Sequence, residues 1–187
     1  MIELIKNIDK NIFLLINGMH NSFFDEVMYW VSHKFFWIPF YVFLLYVVIK
    51  NFKKQAWLII LSIALLTVLT DQFSVHLFKN VFLRYRPCHN IELQSVVHLL
   101  NNHCGGMYGF VSSHAANTFG LATFLIFLFA DKKWTTLLLL WATLVCYSRI
   151  YAGVHYPADV IVGGLLGAVL GFVVFYGYRK VNLIVFK

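Results

Sequence analysis

Apolar runs of bilayer length alternate with short polar breaks along most of this chain. Four runs, Trp57 to Phe78, Ser112 to Ala130, Trp134 to Tyr151 and Pro157 to Tyr178, come close to the roughly 20 apolar residues that carry a helix across about 30 Å of hydrocarbon. A fifth, Phe35 to Ile49, is shorter, about 22 Å of helix. The pattern extends it backwards through Tyr29, Trp30 and Val31, with Lys34 reaching to the headgroups. Residues 1 to 28 read differently. Ile2, Leu4, Ile5, Ile8 and Ile12 alternate with polar positions, and Asp9, Lys10, Asp25 and Glu26 make a poor spanning helix. That stretch predicts an amphipathic helix lying in the interface. The run Ile12 to Ile16 is too short for a typical signal peptide, and no small-residue cleavage site follows it. The expected fold is all-α: a polytopic transmembrane helical bundle of about five spans plus the N-terminal interfacial helix. It forms one domain over residues 1–187, with a long external loop over 84–110.

Composition strengthens the membrane reading. Of the 187 residues, 60% are hydrophobic and 12% charged, against about 25% charged in an ordinary soluble domain. Intrinsic disorder and a nucleic-acid-binding module are poor explanations of such a chain. The net charge of +7 comes from short basic clusters between apolar runs. Lys50, Lys53 and Lys54 follow the first span, Lys132 and Lys133 separate the third and fourth, and Arg179, Lys180 and Lys187 follow the fifth. Successive crossings put all three clusters on one side, which the positive-inside rule makes cytoplasmic. The N-terminus is then external. Lys34, Lys79, Arg84, Arg86 and Arg149 fall at the external ends, where the rule disfavours them, so something there must hold positive charge.

Three clusters meet at that external side. Lys79 is followed after six residues by Arg86-Pro87; Ser112-Ser113-His114 opens the third span; Ser148-Arg149 is followed by His155 and then Asp159. Fixed cations, hydroxyls, two histidines and a carboxylate at one depth are what binding and transferring a phosphate group requires.

These spacings resemble the type 2 phosphatidic acid phosphatase family of integral membrane lipid phosphatases, related in fold to the vanadium haloperoxidases. The family motifs read Lys-x6-Arg-Pro, Pro-Ser-Gly-His and Ser-Arg-x5-His-x3-Asp. The first and third appear here unchanged. In the second, Val111 replaces the proline and Ser113 the glycine, while Ser112 and His114 remain. The resemblance implies that His155 attacks phosphorus, Asp159 holds its other ring nitrogen, and His114 protonates the leaving oxygen and then activates water. It implies phosphate binding by Lys79, Arg86, Ser112, Ser113 and Arg149, with no metal and no other cofactor. Positions i and i+4 share a helix face, so Asp159 reaches His155 if the last helix starts near Pro157, where proline is tolerated.

The resemblance further implies a membrane lipid phosphate as partner and no nucleic acid. The small size suggests a bacterial member in the inner membrane, its site facing the periplasm. Undecaprenyl diphosphate or a related lipid pyrophosphate is the first substrate expectation; lipid A phosphate and phosphatidylglycerol phosphate are the alternatives. An anionic-lipid transporter and a vanadate-dependent oxidase are the readings from other classes.

Other residues stay open. Arg84 reads as a headgroup-facing charge, with contact to the substrate phosphate as the alternative. Asp71, an intramembrane carboxylate, is either functional or hydrogen-bonded to Gln72 or Ser74. Asn117 either bridges helices or orients His114. Gly163, Gly167 and Gly171 allow close approach of another backbone, within the bundle or in a dimer, and the oligomeric state stays open. Cys146 reads as an inert buried thiol. Cys88 and Cys104 share the external loop, where an oxidising compartment permits a disulfide; a metal site with His89 and His103 is the alternative.

Overall fold

The computed structural model describes residues 2–186. Two helices precede the bundle where the apolar pattern predicts one interfacial helix. α1 (Ile2–Gly18) ends before Asn21, whose side chain accepts from the Phe24 N–H and caps α2 (Ser22–Ser32). α2 takes up Tyr29, Trp30 and Val31, so these do not prolong the first apolar run. The chain turns extended at His33, and α3 (Ile38–Phe52) starts afresh with Pro39 in its first turn.

α1 turns its apolar side outward. Leu4, Ile5, Ile8, Ile12 and Leu15 are exposed, whereas Asp9, Phe13 and Asn17 face the protein. Their i, i+4, i+8 spacing makes a single inward stripe.

α4 (Ala56–Phe73) continues through a π-helical stretch, Ser74–Lys79, into the short α5 (Asn80–Phe82). The helical segment therefore runs beyond Phe78, where the apolar run stops. α6 (Ser113–Phe129) and α7 (Lys132–Tyr151) are joined by a tight turn in which Asp131 accepts from the N–H groups of Lys133 and Trp134. α8 (Pro157–Val185) is the longest helix. Lys34–Phe82, which holds α3 and α4, and Pro157–Val185 are long and apolar enough to cross a membrane.

α6 and α8 form the most extensive helix pair, with α4 packed on both. The glycine stripe of α8 makes this possible. A methyl group at Gly163 would lie 2.6 Å from the Ser112 carbonyl; at Gly167 and Gly171 it would overlap the carbonyls of Ala116 and Gly120. The stripe thus serves packing inside the bundle. Ile59, Leu66, Phe124, Leu138 and Trp141 lie in the main core. A second cluster of Phe13, Leu93, Ala115, Ile150, Tyr156 and Val160 sits under the loop end. Asn117 accepts from the Thr70 hydroxyl and so bridges α6 and α4. Asp71 is exposed; Ser74 donates to its backbone carbonyl at 2.9 Å. Cys146 is free and buried.

Between α5 and α6 the chain folds back on itself. Gly109 N–H donates to Arg84 O at 2.9 Å and Arg86 N–H to Met107 O at 3.1 Å. A disulfide joins Cys88 to Cys104, with Cα atoms 6.0 Å apart.

Candidate active site

Three chain segments converge where α6 and α8 begin. The Ser112 N–H donates to the Asp159 carbonyl at 2.9 Å, fastening the two helix starts together. Pro157 opens α8, and Asp159 in its first turn accepts from the Tyr156 N–H at 3.1 Å. The same carboxylate oxygen lies 3.4 Å from His155 Nδ1, so the i, i+4 pairing is realised across the helix start. His155 is 1% exposed and Asp159 fully buried.

The other ring nitrogen of His155 lies 3.0 Å from Arg86 Nη1. A guanidinium only donates, so Nε2 must carry the lone pair and the ring proton belongs on Nδ1, toward Asp159. The imidazole is thereby set in the tautomer of a nucleophile. Burial, and then the charges of Arg86, Arg149 and Lys79, hold its pKa well below the ordinary 6.5, against a hydrogen bond with the Gly109 backbone that works the other way. The ring is neutral at neutral pH. Arg86 Nη1 also donates to the Val154 carbonyl at 3.2 Å, and its Nε is buried without a protein partner.

Lys79, at the end of the π-helical stretch, donates to Ser113 Oγ at 2.6 Å, and that oxygen is 2.7 Å from Ser74 Oγ. The hydroxyl that replaces the motif glycine therefore anchors the lysine. Ser112 is fully buried, and its Oγ has no partner. Arg149 on α7 is held by the hydroxyl and carbonyl of Ser32, and its Nε is likewise unpartnered. Such orphaned donors are costly unless something accepts from them. An anion fits all three. His114 lies with Arg149 on the wall of a cavity of about 410 Å³, whose other lining includes Ser32, Lys34, Asn101 and His103.

Gly109 is needed beside this group. A Cβ there would come within 2.9 Å of Asp159 Oδ2 and 3.1 Å of Arg86 Cγ.

One residue is placed differently from its sequence reading. Arg84 does not face headgroups; it donates to Asp159 Oδ1 at 2.8 Å and to Asp9 Oδ2 at 2.6 Å. Sequence reasoning also missed Asp9 and Ser32 as neighbours of the site. The only trace of Asp9 was its place in the Asp9–Phe13–Asn17 spacing. Of the metal-type clusters, Cys88, His89 and Cys104 has both sulfurs in the disulfide. In the other, Asp25 is bonded to Tyr151 and His98, and the His20 and His98 rings stack in parallel at 3.8 Å.

The model of the PAP2 superfamily matches residues 55–183, well over half of the chain and all three clusters. The chain belongs to the PAP2 superfamily. Among curated PAP2 relatives, the lipid A 4'-phosphatase of Bacteroides thetaiotaomicron is 37% identical over 97% of this chain and 82% of its own length. An undecaprenyl-diphosphatase of Sulfolobus acidocaldarius is 31% identical over 91% of this chain and 75% of its own length. The crystal structure of Aquifex aeolicus LpxE superposes with a TM-score of 0.65 at 29% identity, covering 89% of this chain and 93% of that one. This PAP2 protein is therefore a membrane phosphatase, a phosphoric ester hydrolase.

Proposed function

We propose that this protein hydrolyses a phosphate monoester on a lipid A-type lipid at the external face of the inner membrane, through a phosphohistidine. The observation that carries the mechanism is the pairing of His155, with Arg86 on the lone-pair nitrogen and Asp159 beside the other. Nε2 forms a bond to phosphorus as the bond from phosphorus to the lipid oxygen breaks. His114 gives that oxygen its proton. Asp159 stabilises the imidazolium charge. His114 then takes a proton from water, whose oxygen displaces His155 and releases inorganic phosphate. Lys79, Arg86, Arg149 and the Ser112 hydroxyl neutralise the phosphoryl oxygens, which is most of what phosphoryl transfer asks of a protein.

Two observations favour lipid A over undecaprenyl diphosphate, the first expectation from the sequence. Of these two relatives, the lipid A 4'-phosphatase is the more similar and matches more of the chain. The cavity beside His114 is lined by Ser32, Lys34, Asn101 and His103, side chains suited to a sugar headgroup. Below it, an apolar cleft of about 420 Å³ between α3, α4 and α6 reaches up to Asn117 and Thr118, within a turn of His114, and suits an acyl chain.

The test is phosphate release by detergent-solubilised protein in EDTA, with lipid A, undecaprenyl diphosphate and phosphatidylglycerol phosphate compared. Lipid A should lead in kcat/KM by about tenfold or more, and His155→Ala should release none. A lead for undecaprenyl diphosphate would overturn the substrate and leave the mechanism standing. Turnover by His155→Ala above about a hundredth of wild type would overturn the mechanism.

A further inference from the structure

α1 lies outside residues 55–183, the stretch matched by the superfamily. Yet its inward stripe ends on the catalytic group. Asp9 is only 6% exposed, and both its oxygens are used. Oδ1 accepts from the Ala158 N–H at 2.8 Å, one of the free donors at the start of α8. Oδ2 accepts from Arg84 Nη2 at 2.6 Å. The second η nitrogen of Arg84 donates to Asp159 Oδ1 at 2.8 Å. Asp159 Oδ2 faces His155 Nδ1 and also accepts from the Tyr156 N–H. The Arg84 guanidinium also lies 4.1 Å from the centre of the Tyr156 ring, and Phe13 of α1 packs edge-on against that ring at 5.4 Å.

We propose that Arg84 and Asp9 are positioning residues for the nucleophile, acting in the order Asp9, Arg84, Asp159, His155. The argument is one of freedom and charge. A carboxylate held on one oxygen can rotate about its last torsion, and rotation of Asp159 would release the imidazole. Arg84 removes that freedom by occupying Oδ1. Its own position is fixed by Asp9, which also balances the arginine charge in a poorly solvated place. A planar fork whose two ends meet two different carboxylates is a role lysine cannot fill fully. Two of the five Arg84 N–H donors are taken by carboxylates, and a substrate contact through the others would be read out as a raised KM. Asp9→Asn keeps an acceptor for the Ala158 N–H but turns an NH2 donor, in place of a carboxylate oxygen, toward Arg84, so it breaks the Asp9–Arg84 link while leaving the helix cap.

The proposal rests on the hydrolytic reading above, and kcat, KM and melting temperature of the full-length protein on lipid A phosphate test both. Arg84→Met should lower kcat by about 30-fold or more with KM within about threefold of wild type, and Arg84→Lys should recover part of the loss. Asp9→Asn should lower kcat by about fivefold, and the double variant Asp9→Asn/Arg84→Met should be no slower than Arg84→Met alone. A kcat for Arg84→Met within about threefold of wild type overturns the proposal. So does a raised KM at constant kcat, which would put Arg84 on the substrate. Multiplicative losses in the double variant overturn the order of action. If Arg84→Met does not fold, Arg84→Lys and Asp9→Asn decide: wild-type kcat in both sinks the idea. A wild-type protein inert on every lipid phosphate would fail the hydrolytic reading itself, a result distinct from any of these.

Discussion

His155 is poised by what cannot happen around it. Arg86 cannot accept a hydrogen bond, and three cations and burial make protonation of the ring unfavourable. The proposed nucleophile stays neutral to lower pH than a free imidazole. The acid limb of kcat/KM, which reports the free enzyme, should therefore lie below pH 6.5. Arg86→Gln removes a nearby positive charge and eases protonation, so its residual activity should show that limb moved upward, toward 6.5. Comparing both proteins on one substrate cancels the titration of the phosphate itself. A limb unmoved or moved down by Arg86→Gln would mean that another group controls it. At this scale the spacing of the clusters already singles out Lys79, Arg86, His155 and Asp159, and the fold sets His155 between Arg86 and Asp159. Spacing does not single out Arg84 and Asp9, since 75 residues separate them in the chain and only the tertiary fold makes them partners.

Among the elements, the α6/α8 pair sets the geometry of the site, because it fastens Ser112 of the second cluster to Asp159 of the third. Gly167 faces the Ala116 backbone too closely for any side chain. Gly167→Ala should push the helices apart and cost about 1–3 kcal/mol, lowering melting temperature and kcat together. Gly177 on the same helix is different: a methyl group added there would meet nothing within 4 Å. Gly177→Ala should therefore leave activity alone and stabilise by up to about 1 kcal/mol. Equal behaviour of the two variants would refute the close seam. The glycine repeat was readable as a packing stripe, but its partner was not, because a lipid-facing or dimer role has the same period. The break at Met19–Asn21 and the π-helical stretch also left no periodic mark, since both depend on capping and local hydrogen bonds rather than on apolar spacing.

For the whole molecule, orientation and the loop clamp can be tested together. A cysteine introduced at Asn51 should resist a membrane-impermeant thiol reagent in intact cells, while one at Asn101 should react. The reverse pattern would place the site on the cytoplasmic face. The Cys88–Cys104 bond closes a 16-residue separation, a loop worth about 3 kcal/mol in the chain-entropy model. Its effect should be local, because the helices pack without it. Reduction should raise KM and lower activity by loosening Arg86 and Ser112, with the melting temperature of the bundle nearly unchanged. An unaltered KM after complete reduction would show that the clamp does not reach the site. The all-helical bundle was legible in the apolar runs, whereas the inward turn of α1 was not: its alternation fits a helix lying on the surface equally well.

The close contact of α6 with α8 has a consequence for traffic. A seam without room for one methyl group cannot part to admit a lipid, so that side of the bundle is a closed wall. For the proposed lipid substrate, the expected route is lateral, through the apolar cleft between α3, α4 and α6 that rises toward Asn117. A lipid seated there would hold its chain in the cleft and its headgroup beside Arg149 and His114. The glycines of α8 thus make one side of the bundle a wall and leave the cleft as the expected doorway.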